Sequence, residues 1–148
     1  MFGFVFGCGA REVHDTTVQT PSTLEGTVTS ARDASTASPP SGKAKITHLA
    51  RGKNAYLGHL WIAPGAGVPL HRDVTEEYLY VLEGGGVLTM NGQTYTLSKG
   101  AAVFMPAGAE VTYVNGDMPT MVLQVFAGPE SADKYKQWVS PAVSPQAK

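Results

Sequence analysis

From Lys43 onward the chain is a series of short apolar runs, each interrupted by Gly, Pro or Asn. Apolar and polar positions alternate in several of these runs, as they do in a strand with one buried face. Regular short strands with this punctuation are typical of an all-β barrel or sandwich. The predicted strands are centred on Lys45–Leu49, Tyr56–Ile62, Glu77–Leu82, Val87–Met90, Gln93–Leu97, Val103–Met105, Val111–Val114 and Thr120–Phe126.

Two turns and one short helix complete this pattern. Asn91-Gly92 separates two predicted strands and is the favoured pair for a type I′ hairpin, since both residues need a positive φ. Gly84-Gly85-Gly86 predicts a further turn, at positions where a Cβ would clash. After the last strand, residues 131–138 fit a short helix on the outside of the barrel, with Ser131 as its N-cap.

The segment before Lys43 has a different composition. Residues 9–55 contain no aromatic side chain, and residues 9–42 are rich in Ser, Thr, Asp, Gly and Pro. The few aliphatic residues among them are too sparse to form a core, so this segment is predicted to be a disordered polar tether. The folded domain is therefore expected to span residues 43–138, with a flexible tail at residues 139–148.

The first eight residues are apolar up to a cysteine. Val5-Phe6-Gly7-Cys8 resembles the lipobox of bacterial lipoproteins, in which the cysteine is lipidated. We interpret residues 1–8 as the remnant of such a signal, which predicts an exported, membrane-tethered protein. A signal peptide also carries basic residues and a longer apolar run, so this interpretation requires residues upstream of Met1. The alternative is a cytoplasmic protein whose apolar N-terminus has no role.

Composition excludes several classes of partner. The chain has 11 Lys and Arg against 12 Asp and Glu, so no basic surface indicates binding of nucleic acid. It has no apolar run near the roughly 20 residues that a membrane-spanning helix needs, so membrane contact is expected only through a lipid on Cys8. Cys8 is the single cysteine, which excludes an internal disulfide.

Two spaced motifs overlap the predicted strands. They read Gly65-x5-His71-x-Asp73-x3-Glu77-x6-Gly84 and Gly100-x5-Pro106-x-Gly108-x2-Val111-x3-Asn115. Together they resemble the paired motifs of the cupin family, G-x5-H-x-H-x3/4-E-x6-G and G-x5-P-x-G-x2-H-x3-N. The resemblance implies a single-domain, cupin-2-like jelly-roll barrel. Asp73 and Val111 stand where the family has metal-binding histidines, so the metal motif is degenerate.

The resemblance also implies a divalent metal inside the barrel. His71 and Asp73 share one face of a strand by alternation, and Glu77 joins them if the turn between preserves the parity, as it does in cupins. One imidazole and two carboxylates suit Mn, Fe or Ni better than a closed zinc site, with Zn kept as a further candidate. Val111 cannot ligate a metal. His59, on the preceding strand, is the candidate replacement ligand, and the alternative is that it is a hydrogen-bonded strand histidine.

The same residues predict different chemistry in the absence of a metal. Of two neighbouring carboxyl groups, one should resist ionisation, and such a carboxyl beside His71 forms an acid–base pair suited to a metal-free isomerase. The structural alternative is a buried polar network that holds two strands together. Val111 makes one wall of the ligand pocket apolar, and Tyr113 shares its parity and is expected to face the same pocket.

The fold alone does not select a function, because cupins include enzymes, storage proteins and ligand-binding domains. The leading prediction is a barrel that binds a polar or sugar-like small molecule, with a divalent metal at His71, Asp73 and Glu77. The alternatives are a metal-dependent dioxygenase or isomerase and a non-catalytic structural domain. The resemblance also implies a homodimer, with Tyr78 and Tyr80 as exposed interface residues.

Overall fold

The computed structural model describes residues 25–140, which form ten strands and one 3-10 helix. The strands are β1 (Thr36–Ala37), β2 (Ala44–Arg51), β3 (Tyr56–Ile62), β4 (Gly67–His71), β5 (Glu76–Glu83), β6 (Gly85–Met90), β7 (Gln93–Ser98), β8 (Ala102–Met105), β9 (Val111–Asn115) and β10 (Thr120–Ala127), and the helix is Pro129–Gln137. The lipoprotein interpretation of residues 1–8 and Cys8, the tether up to residue 24 and most of the tail lie outside the described residues.

The strands form two antiparallel sheets that face each other. The larger sheet has the order β1-β2-β3-β10-β5-β8, and the smaller has the order β4-β9-β6-β7. β10 is central to the larger sheet because it pairs with both β3 and β5. In the smaller sheet, β9 pairs with both β4 and β6. This arrangement confirms the predicted all-β barrel.

Strand alternation places the core between the sheets. On β10 the inward positions are Thr120, Val122, Gln124 and Phe126, all of them buried. Phe126 is completely buried, which stabilises the fold by about 1.5–3 kcal/mol relative to an exposed side chain. One apolar cluster lies between the two sheets and consists of Ile62, Ala66, Leu88, Met105, Ala109, Val111 and Tyr113. A second cluster lies under the 3-10 helix and consists of Ala37, Ile46, Tyr56, Phe126, Ala132 and Tyr135.

Both predicted turns are present. Met90 pairs with Gln93, so Asn91-Gly92 is a two-residue hairpin loop, and the φ values of 50° and 80° are those that a type I′ turn requires. Gly84 has φ 72° at the corner where the chain leaves the larger sheet for the smaller one. A Cβ at Gly84 would lie 2.3 Å from the carbonyl oxygen of Pro119, so only glycine fits there.

The ordered domain begins earlier than the sequence predicted. β1 lies within residues 9–42, the segment expected to be a disordered tether, and it pairs with β2 through Thr36↔Thr47 and Ala37↔Ile46. Ala37 is buried in the second apolar cluster. A two-residue strand with one small buried side chain leaves almost no periodic signal, which is why the predicted boundary at residue 43 was wrong.

The C-terminal helix is present but differs from its prediction. It is a 3-10 helix with Gly128, and not Ser131, at its N-cap position, and it covers one end of the barrel instead of packing on its outside. Ser131 is buried, and its Oγ is 2.6 Å from Oγ1 of Thr75 and accepts a hydrogen bond from the Thr75 N–H. Within residues 25–140, no helix is long and apolar enough to cross a membrane.

Candidate functional site in the barrel

The two sheets enclose a cavity of about 570 Å³. A volume of this size accommodates a small organic molecule. Its walls are mainly aliphatic, and most of its polar side chains lie on or beside the 3-10 helix. The aliphatic and sulfur-containing side chains that line it are Leu60, Ile62, Val68, Leu79, Val81, Leu88, Leu97, Met105, Val111 and Val122.

His71, Asp73 and Glu77 come together at this cavity, with one potential ligand atom from each lying within 4.8 Å of the others. His71 is the last residue of β4, and Glu77 is the second residue of β5. Glu77 is 5% exposed, whereas His71 and Asp73 are half-buried. The three residues therefore form one polar cluster that joins the two sheets.

Asp73 reaches this cluster from a loop, and not from a strand as the sequence predicted. It lies in the connection between β4 and β5, so strand alternation with His71 does not determine its direction. The Gly108 N–H donates a hydrogen bond to the Asp73 carbonyl oxygen over 2.7 Å. Arg72 donates to the Gly108 carbonyl oxygen and to the Glu110 carboxylate, which holds the same loop from the other side.

A backbone contact orients the His71 ring. Nδ1 lies 2.9 Å from the carbonyl oxygen of Pro69, an acceptor, so Nδ1 carries the proton and donates it. Nε2, on the opposite side of the ring, lies 3.6 Å from Oδ2 of Asp73. Nε2 is therefore the ring nitrogen that faces Asp73.

Asp73 is paired with a lysine that the sequence analysis did not connect to the site. Lys134 lies on the 3-10 helix, and its Nζ donates to both carboxylate oxygens of Asp73 at 2.9 Å. The same ammonium lies 4.8 Å from the centre of the Phe126 ring. Side-chain exposure is 36% for Lys134 and 13% for Asp73, so this pair is more shielded from water than an ordinary surface salt bridge.

Glu77 belongs to a buried hydrogen-bond chain that also ends on the 3-10 helix. The Tyr135 hydroxyl donates to Oε1 of Gln124 over 2.7 Å, and Nε2 of Gln124 donates to Oε1 of Glu77 over 2.6 Å. All three side chains are buried. The amide of Gln124 thus has its orientation fixed from both ends, and one oxygen of Glu77 remains available to the cluster.

Burial raises the pKa of Glu77 to about 7, because the charged form loses its hydration. The charge of Lys134 and the hydrogen bond from Gln124 act in the opposite direction, and the neighbouring Asp73 adds a smaller upward effect. The prediction that one carboxyl resists ionisation is confirmed for Glu77, but burial, and not carboxylate repulsion, is the main cause. Burial also raises the pKa of Tyr135 well above its usual range, and the charge of Glu77 raises it further.

The remaining predicted pocket residues lie on the smaller sheet. Val111 is buried, lines the cavity and pairs with His71 across β4 and β9, so it is a neighbour of the imidazole. Tyr113 also lines the cavity. Its hydroxyl donates its proton to Oδ1 of Asn115 over 2.9 Å, so this proton is not available to a ligand. Asn115 in turn donates to backbone carbonyls of the neighbouring loops.

His59 is not part of the site, which corrects its prediction as a replacement ligand. Leu60 and Ile62 of the same strand line the cavity, and His59 has the opposite parity. It pairs with Leu123 of β10 on the outer face of the larger sheet. It is also absent from the cluster of potential metal ligands found within residues 25–140.

Gln124, Lys134 and Tyr135 were missed by the sequence analysis. Gln124 had a detectable signal, because it is the one amide on β10, whose other residues are apolar except for Thr120. Lys134 and Tyr135 had none, because they lie outside both motifs on a helix whose docking only the tertiary fold reveals.

The divalent metal implied by the fold can be tested against these contacts. The spacing of the three potential ligand atoms is suitable, but both oxygens of Asp73 are bonded to an ammonium group. The fourth family position is Val111, which has no donor atom, and one oxygen of Glu77 already accepts from Gln124. The residues as arranged therefore do not fit a divalent metal ion.

Comparison with known proteins identifies the fold family. A family model described as Cupin domain matches residues 58–126. The chain is 33% identical over 72 residues to the tetracenomycin polyketide synthase protein TcmJ of Streptomyces glaucescens, a match that covers 47% of this chain and 48% of that protein. The chain thus spans about half the length of this relative.

Two solved structures show the same fold at low sequence identity. An RmlC-like cupin from Shewanella frigidimarina superposes with a TM-score of 0.64 at 17% identity, covering 70% of this chain and 92% of that chain. The polyketide cyclase RemF from Streptomyces resistomycificus superposes with a TM-score of 0.61 at 22% identity, covering 69% of this chain and 79% of that chain. The matched segment, the paired motifs and the two-sheet architecture of this chain together identify residues 58–126 as a cupin domain.

Proposed function

We propose that the barrel binds a small organic molecule with an apolar, ring-bearing body and one polar end. The observation that carries this proposal is the division of the cavity between aliphatic walls and a single polar cluster. A ring system would replace water against Leu79, Val81 and Val122, and its polar end would lie at His71 and Glu77.

The aliphatic walls favour such a ligand over the polar or sugar-like one expected from the sequence. Sugar hydroxyls lose their hydrogen bonds to water on entering a cavity and need protein partners in exchange. Here most of the polar side chains that could serve as partners lie near the 3-10 helix. The Tyr113 hydroxyl, which also lines the cavity, already donates its proton to Asn115. A molecule with a carbonyl or phenolic hydroxyl at one end matches this distribution better.

The comparisons support the same class of ligand. One relative is named as a polyketide synthase protein, and one structure with the same fold is described as a polyketide cyclase. We therefore propose an aromatic, polyketide-like ligand for this barrel.

The polar cluster can also transfer a proton. The carboxyl of Glu77, with its pKa raised to about 7, exists in both protonation states near neutral pH, and the imidazole of His71 lies in the same cluster. Such a pair can remove a proton from one position of a bound ligand and return one to another. The proposed reaction class is a metal-free isomerisation or cyclisation of the bound molecule.

A metal-dependent enzyme of the dioxygenase or isomerase type is the second candidate. The convergence of His71, Asp73 and Glu77 within 4.8 Å favours it. Lys134 on Asp73 and the apolar Val111 count against it, which is why it ranks second. Metal analysis of the purified protein, produced without a polyhistidine tag, separates the two candidates.

The ligand proposal is tested by calorimetric titration with two sets of compounds. Hydroxylated naphthalenes and anthraquinones should bind, and monosaccharides should not. Leu79→Phe puts a larger side chain into the cavity and should weaken the binding of aromatic compounds about tenfold or more. Space of one methylene group in an apolar pocket is worth about 1–3 kcal/mol of binding free energy. Tyr80→Phe changes the neighbouring side chain on the outer face and should bind as the unmodified protein does. Tighter binding of monosaccharides than of the aromatic compounds would overturn the proposal.

A further inference from the structure

Lys134 places a positive charge beside the polar cluster of His71, Asp73 and Glu77. Its ammonium is 2.9 Å from both oxygens of Asp73. Asp73 is the residue that stands at a metal-ligand position of the cupin motif. The Lys134 ammonium therefore contacts the two Asp73 oxygens that a metal bound at this position would use as ligands.

The helix that carries Lys134 is fixed to the barrel at three independent points. Ser131 is bonded to Thr75, and Tyr135 donates to Gln124. On the outer side, Arg51 donates to Asp133 over 2.7 Å. Lys134 lies between these anchors, so its ammonium is brought to Asp73 by a rigid support and not by a mobile terminus.

We propose that the ammonium of Lys134 replaces the divalent metal ion in this barrel. It supplies a positive charge to the Asp73 carboxylate and donates hydrogen bonds to both of its oxygens, which would otherwise be available to ligate a metal. Val111 has no ligand atom at the fourth metal-binding position of the motif. The missing ligand and the internal cation therefore both oppose metal binding. A divalent ion at Asp73 would lie beside a fixed like charge and is excluded while Lys134 remains there.

The proposal is tested with metal ions alone, so its outcome does not depend on the identity of any organic ligand. The full chain, stripped of metal and free of a polyhistidine tag, is titrated with MnCl₂ and NiCl₂ by calorimetry, and bound metal is measured after dialysis. The unmodified protein should take up no stoichiometric metal at the cluster. Lys134→Met keeps the approximate length of the side chain and removes its charge. This variant should bind these ions about 10- to 100-fold more tightly, which is the range over which residues in contact with metal ligands change metal affinity.

Three further variants locate the effect and separate charge from packing. Lys136→Met, on the same helix but paired with Asp133, should behave like the unmodified protein. Lys134→Arg keeps the charge and should also remain without metal. Adding Asp73→Asn to Lys134→Met should abolish the gained uptake, because it removes the charged ligand.

Two results would overturn the proposal. One is stoichiometric binding of Mn²⁺ or Ni²⁺ by the unmodified protein at an affinity equal to that of Lys134→Met. The other is metal uptake by Lys134→Arg as strong as that by Lys134→Met, because the charge would then have no role. If Lys134→Met does not fold, the melting temperature of the unmodified protein with and without MnCl₂ decides instead. No shift is expected, and a shift that Asp73→Asn removes would contradict the proposal.

Discussion

Glu77 has the most unusual environment of the titratable residues in the polar cluster. It is 5% exposed, it accepts one hydrogen bond from Gln124, and burial raises its pKa to about 7 from a usual value of 4.5. In the unfolded chain the same carboxyl ionises at its usual pKa. Between these two values the folded protein binds more protons than the unfolded chain does, so this residue couples stability to pH.

The sign of this coupling gives a first prediction. The contribution of Glu77 to the free energy of unfolding should decrease as pH rises from about 4.5 to about 7, because the folded state disfavours the charged form. Glu77→Gln cannot ionise, so its stability relative to the unmodified protein should increase with pH across that window. Denaturant unfolding at a series of pH values measures this difference. Glu83→Gln, at an exposed position, is the control and should show no such trend. A stability difference that is constant, or that decreases with pH, would show that folding does not raise the pKa of Glu77.

At the scale of secondary structure, periodic strands could be predicted and tertiary contacts could not. Tyr56–Ile62 was predicted with the bounds that β3 has, because its residues are β-formers and it ends at turn residues. Asp73 and Lys134 depend on a loop and a helix whose placement comes from contacts far along the chain. The motif therefore predicted which residues meet on the strands, but not the cation that the 3-10 helix adds to them.

The docking of the 3-10 helix can be tested through Ser131. Ser131→Ala removes the hydrogen bonds to the hydroxyl and N–H of Thr75, just before β5, and leaves those groups part-buried without this partner. We expect a loss of about 1–3 kcal/mol in the free energy of unfolding. Backbone amides of the helix should also exchange faster with solvent. Ser98→Ala, on an exposed position of β7, should leave both unchanged. Equal exchange rates in Ser131→Ala and the unmodified protein would mean that the helix is held by its apolar contacts alone.

Over the whole molecule, the larger sheet is mainly apolar on both of its faces. Its inner face lines the cavity, as the barrel requires. Its outer face consists of the side chains of β3, β5, β8 and β10 that point away from the cavity. These include Tyr78, Tyr80 and Phe104, which are 42%, 46% and 48% exposed. The rings of Tyr78 and Phe104 are 5.1 Å apart. On the neighbouring strands the outer-face side chains include the apolar Leu57, Trp61, Met121, Leu123 and Val125, and His59 lies among them.

An exposed apolar sheet face of this kind is expected to be covered in solution. A second copy of the same chain is the simplest partner, because a two-fold axis lets one apolar face cover its own equivalent, and we propose a homodimer through this face. Tyr80→Lys places a charge in the middle of the face and should convert the dimer to a monomer in sedimentation velocity experiments, without loss of the folded barrel. Tyr95→Lys is the matched control, since Tyr95 is an exposed tyrosine of the smaller sheet, and it should remain dimeric. An unmodified protein that sediments as a monomer at every concentration would rule this interface out, and a dimer that persists in Tyr80→Lys would place the interface elsewhere.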